Sequence, residues 1–107
     1  MSATRTRKGI VYFGDRRAGL VEETESGCRF TYDPGYLRDG SPISSSLPLQ
    51  EEPLTSEGLF SFFRGLLPEG WYREVASRTL KIDQRDEFGL LVGTCADCVG
   101  AVSVRKA

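Results

Sequence analysis

The period of the hydrophobic positions changes halfway along the chain. Ile10-Val11-Tyr12-Phe13 is a β-prone run. Gly14-Asp15 follows as a tight turn, and Arg17 to Val21 reads as the returning strand. Glu22 to Gly27 is polar and ends in Gly, which suits a second turn. Cys28, Phe30 and Tyr32 then alternate with Arg29 and Thr31, a period of two that predicts a strand with one buried face. Three strands with short links make an antiparallel meander. Asp33-Pro34 opens a short helical turn through Tyr36 and Leu37, closed near Gly40. The serine-rich stretch Ser41 to Leu49 reads as a loop, in which Ile43 and Leu47 could anchor an edge strand stopped by Pro48.

Beyond residue 54 the period becomes helical. Thr55 or Ser56 can cap a helix starting at Glu57. Leu59, Phe62, Phe63, Leu66 and Leu67 lie on one stripe of it, with Phe60 at the edge, and Pro68 ends it. Gly58 and Gly65 each weaken that helix by about 1 kcal/mol relative to Ala. Glu69 sits near the next N-terminus, and Tyr72, Val75, Ala76, Thr79 and Leu80 form a second apolar stripe. Asp83 or Asp86 starts a third short helix with Phe88, Leu90, Leu91 and Val92 at its core, ending at Gly93. Val99 to Val104 reads as a final strand able to join the meander. The predicted class is α+β: a small antiparallel sheet, made of the N-terminal meander and the C-terminal strand, packed with about three helices.

Composition narrows the function classes. At 107 residues the chain fits one domain, 1–107, with residues 1–8 expected to be a flexible leader. Its 14 basic and 15 acidic residues leave a net charge of -1, which argues against a non-specific nucleic-acid binder. The basic leader Arg5, Arg7 and Lys8 before Tyr12 and Phe13 is therefore read as solvated. With 0 His there is no Ser-His-Asp triad, no Cys-His dyad and no Cys₂His₂ zinc site. No catalytic residue, cofactor site or metal site is expected. Ser2 to Lys8 is polar and basic, and no apolar run approaches the ~18 residues of a membrane span, so the chain reads as cytoplasmic with reduced thiols.

The remaining motifs favour ordinary structure. Cys95-Ala96-Asp97-Cys98 follows a helix and enters a strand, the wrong context for a redox motif, and only Cys28 remains for a second zinc pair. Gly14 to Gly19 has a suggestive spacing, but Leu20-Val21 stands where a phosphate loop needs Lys-Ser/Thr. Glu22-Glu23, Glu51-Glu52 and Asp86-Glu87 are adjacent pairs whose side chains diverge. Trp71 stands apart. It lies about 110° from the centre of its helix's stripe, in the first turn after Pro68-Glu69-Gly70. It either folds back over the rim of the core or serves as an exposed anchor for a partner.

The order of these segments is itself a signature. Ser44-Ser45-Ser46-Leu47-Pro48-Leu49, then Phe60-x-Phe62-Phe63-x-x-Leu66-Leu67-Pro68-Glu69-Gly70, then Phe88-x-Leu90-Leu91, then Asp97-Cys98-Val99-Gly100-Ala101-Val102 resembles the N-terminal subdomain of HipA-type toxin kinases. The resemblance runs from about Ile10 to Val104. HipA-type proteins continue into a large kinase body that holds ATP, metal and the catalytic Asp, and no catalytic residue of the family maps onto these 107 positions.

The resemblance implies a stand-alone, HipS-like antitoxin of a split HipBST-type system. Its partner would be a short HipT-like serine/threonine kinase toxin whose implied target is an aminoacyl-tRNA synthetase. A HipB-like helix-turn-helix protein would share the complex, with no direct contact from this chain to nucleic acid or membrane. The segment Leu67, Pro68, Glu69, Gly70 and Trp71 is the expected kinase contact. Two alternatives stay open: an N-terminal fragment of a full-length HipA-type kinase, and a small redox or zinc-binding module.

Overall fold

The computed structural model describes residues 7–95 and 101–107. Five strands form one antiparallel sheet in the order β4-β3-β2-β1-β5: β1 Lys8–Phe13, β2 Arg16–Glu23, β3 Gly27–Tyr32, β4 Leu54–Glu57 and β5 Val102–Lys106. Among the described residues four helices accompany it: α1 Pro34–Asp39, α2 Ser61–Arg64, α3 Gly70–Leu80 and α4 Glu87–Thr94. The meander and the α+β class follow the pattern read from the sequence; the closing strand read over Val99 to Val104 runs Val102–Lys106, and residues 99 and 100 lie outside the described residues. Lys8 opens β1, and residues 1–6 lie outside the described residues.

The alternation of β2 slips once. Val11 pairs with Gly19 and Tyr12 with Arg17, leaving Ala18 as the extra residue of a bulge, so Ala18 and Gly19 are buried in succession. Glycine is required at 19, because a Cβ there would come within 2.3 Å of the Thr31 carbonyl oxygen and 3.0 Å of the Phe30 ring. Above this point the core closes. Phe30 packs edge-on against Tyr32 at 4.7 Å and against Phe63 at 5.9 Å, and Val11, Val21, Leu90, Leu91 and Val104 are fully buried around them.

Two expectations for the middle of the chain need correction. The stretch Ser41 to Leu49 supplies no sheet strand; it makes an isolated bridge between Ser44 and Leu47. Its backbone is held by two tyrosines instead: the buried Tyr32 hydroxyl donates to the Leu47 carbonyl and accepts from the Ile43 N–H, at 3.2 Å, and the Tyr36 hydroxyl donates to the Ser41 carbonyl at 2.6 Å, while Ile43 and Leu47 enter the core. The sheet edge is taken by Leu54–Glu57, which pairs with β3 from Phe30↔Leu54 to Gly27↔Glu57. Thr55 and Ser56 are therefore strand residues and do not cap a helix at Glu57. The helix that follows, α2, spans only four residues and begins after Phe60, with Phe63 buried.

The C-terminal helix is fixed at its start. Asp86 caps α4 by accepting from the Gly89 N–H at 3.2 Å. Its carboxylate also receives Arg7, whose guanidinium bonds both Asp86 oxygens and both Glu23 oxygens at 2.8 Å and lies 5.4 Å from the centre of the Phe88 ring. The charged hydrogen bonds raise the pKa of Arg7, and its guanidinium holds the Asp86 carboxyl below the usual range.

Candidate partner-binding face

Between the buried Leu67 and the buried Phe88 the chain makes an excursion in which Ile82 packs part-buried against the core, and α3 occupies about half of it. Leu67 is buried, Pro68 is half-buried, and Glu69 is exposed with an extended backbone. Gly70 has φ +54, a left-handed conformation that any side chain would strain, and its Cβ position meets nothing within 4 Å. The turn therefore swings α3 away from α2 through open space. Trp71 follows at 70% exposure and Tyr72 at 71%, their rings edge-on at 5.5 Å.

Of the five residues expected to meet a partner, the structure places Glu69, Gly70 and Trp71 at the surface, Pro68 at its margin and Leu67 in the core. Trp71 does not fold back over the rim. The expectation for the rest of the helix is reversed. The stripe formed by Tyr72, Val75, Ala76, Thr79 and Leu80 was read as a core face, yet no residue of α3 is buried. Val75 is 40% exposed and Leu80 42%, with Leu80 resting against the open side of Gly93.

The inward side of α3 is polar instead. Arg73 donates from Nε to the Gln84 carbonyl at 3.0 Å and lies 3.9 Å from the Glu87 carboxylate. Ser77 donates its hydroxyl to the Ile82 carbonyl, and the Ile82 N–H returns to the Ser77 carbonyl at 3.0 Å. Lys81, at φ +56, ends the helix in the left-handed region. The helix is thus fastened by its polar residues and presents its apolar ones. Arg73 and Ser77 were not foreseen as anchors. Their spacing of four on one face was the available signal, but an apolar stripe opposite it ordinarily outranks such a pair.

Elsewhere the structure offers little chemistry. Among the described residues no group of three or more His, Cys, Asp or Glu side chains is placed to hold a metal ion, and no helix is long and apolar enough to cross a membrane. Cys28 is a free, buried thiol whose pKa burial pushes up to about 11. Cys95 is buried at the end of α4 and disulfide-bonded, which corrects the expectation of reduced thiols at that position. Cys98 of the C-x-x-C lies outside the described residues.

Comparison with known proteins places the fold. The HipA N-terminal domain family matches residues 9–105. An uncharacterized protein of Haemophilus influenzae is 34% identical over 100 residues, covering 94% of this chain and 92% of that one. A Sinorhizobium fredii protein bearing the name "Putative kinase Y4mE" is 35% identical over 97 residues; these make up 88% of this chain but only 23% of the relative. Among solved structures, the N-terminal domain of a HipA toxin superposes with a TM-score of 0.76 at 31% identity, covering 100% of this chain and 97% of that one. A toxin–antitoxin complex of Shewanella oneidensis MR-1, containing HipA, HipB and operator DNA, gives a TM-score of 0.70 at 20% identity over 91% of this chain and 23% of that one, a likeness of fold. With the family matched over nearly the whole length and a domain of equal size superposing on it, this chain belongs to the HipA N-terminal domain family.

Proposed function

We propose that this chain is a non-catalytic antitoxin subunit that binds and inhibits a HipT-like serine/threonine kinase toxin. The observation that carries the reading is Trp71, 70% exposed on the first turn of a helix whose polar side faces its own protein. A large aromatic held in water has little to lose in the monomer and a pocket's worth of burial to gain on a partner. Glu69, Gly70 and Trp71, with Pro68 beside them, form the contact, and buried Leu67 anchors its base. A HipB-like DNA-binding protein completes the complex, and the chain acts in the cytoplasm.

Growth rescue tests this reading. Co-expression with a cognate HipT-like kinase relieves that kinase's growth arrest. Failure to bind the kinase or to relieve arrest, where a DNA-binding protein alone does so, overturns the antitoxin assignment. One observation favours a second reading, that the domain works inside a longer kinase: the domain is 23% of the Sinorhizobium fredii relative. A single reading frame running from this domain into a kinase body would establish it.

A further inference from the structure

The outward side of α3 extends well past Trp71. At about 100° per residue, Arg73 and Ser77 lie about 40° apart on the side that meets the protein. Trp71, Val75, Thr79 and Tyr72 fall within about 100° of one another on the opposite side. All four are exposed, along an eleven-residue helix. The two ends of this face differ in charge. Glu69 precedes it, Lys81 closes it, and neither makes an ion pair among the described residues.

We propose that the kinase partner covers α3 along its whole outward side, from Trp71 to Thr79, with an apolar groove that is basic where it meets Glu69 and acidic where it meets Lys81. This rests on the antitoxin reading above and specifies its interface. Two features commit the occupant. The charges that flank the helix, Glu69 before it and Lys81 after it, with Arg78 in the last turn, ask for a surface of the opposite order. The longer relative carries most of its chain outside this domain, which supplies a body large enough to cover the helix.

The same geometry makes α3 the part of the fold that binding tightens. A helix of this length is marginal in water unless packing holds it. Here the fastening is mostly polar, hydrogen bonds from Arg73 and Ser77 to two carbonyls and the Arg73–Glu87 ion pair, with Leu80 against Gly93 and no buried side chain. In the free chain α3 therefore opens at a lower free energy than β1, β2 and β3. Coverage of the outward side removes that difference.

Hydrogen exchange on the full chain, alone and with a cognate HipT-like kinase, tests the proposal alongside binding of two variants. Alone, amides of residues 72–80 exchange faster than those of β1–β3; in the complex they slow by about tenfold or more. Val75→Glu and Lys81→Glu each weaken binding about tenfold, a loss typical of interface residues, and leave the melting temperature within a few degrees. A complex that forms with unchanged exchange in 72–80, or that tolerates both variants, overturns the whole-helix interface and leaves the antitoxin reading standing. Absence of any complex overturns both.

Discussion

Helices α3 and α4 are neighbours in sequence and in space, and they are built on opposite plans. The shorter, α4, buries Phe88, Gly89, Leu90 and Leu91, is capped by Asp86 and is pinned by Arg7. The longer, α3, buries nothing, lacks a side-chain cap at its start and holds on through Arg73 and Ser77. Both carry an apolar stripe at helical spacing. The difference teaches that a stripe marks a face seeking cover without saying which molecule provides it. In α4 the stripe is dense with Leu and Phe and meets the sheet. In α3 it is thin, with one Tyr, one Val, one Ala, one Thr and one Leu, and the chain leaves it open.

Four measurements break or sharpen this contrast. Leu90→Ala in α4 costs about 2–5 kcal/mol, because a fully buried side chain leaves a cavity; Val75→Ala in α3 stays within about 0.5 kcal/mol. Denaturant melts of the two variants side by side check the pair, and equal losses would erase the distinction. Tyr32→Phe removes one hydroxyl and leaves the Leu47 carbonyl and Ile43 N–H unpaired, for about 2–3 kcal/mol in the same assay. Trp71→Ala leaves the melt unchanged and weakens kinase binding by about 2 kcal/mol, roughly thirtyfold. A melt that collapses while the surviving folded fraction binds normally would return Trp71 to the core.

The smallest effect is acid sensitivity at the start of α4. The Arg7 hydrogen bonds lower the Asp86 pKa in the folded state, so the stabilisation is present above the ordinary aspartate value near 4. It declines as pH falls through the lowered folded value. Urea midpoints measured between pH 6 and pH 3 show a modest fall. Asp86→Asn, which keeps the cap and loses the charge, flattens that fall.

The strands of the meander were legible because each alternates or runs apolar between turn residues, as Cys28, Phe30 and Tyr32 do. α4 was legible because an Asp cap precedes a dense apolar run. β4 was not: Leu54-Thr55-Ser56-Glu57 has one apolar residue, and its Thr, Ser and Glu form a local helix-start signal. Pairing with β3 overrides that signal, and this long-range gain is invisible in a window of four residues. The serine-rich stretch is the loop it reads as, and the edge strand it could have held is absent for the converse reason. Ile43 and Leu47 do point inward, but a tyrosine eleven residues earlier satisfies the backbone that a strand partner would have served. At the candidate site, the exposure of Trp71 was one of two readings left open. The inversion of α3 was out of reach, since periodicity reports a face and not its cover.

The pairing of β5 with β1 carries a consequence for synthesis. Gly9 lies opposite Lys106 and Val11 opposite Val104, so the first strand made waits for the last. Until residue 102 leaves the ribosome, β1 has one open edge and the core lacks the buried Val102 and Val104. A pairing this distant in sequence raises the mean separation of contacting residues and slows folding. A nascent chain stalled before that point displays an unpaired strand edge, the surface on which neighbouring chains add.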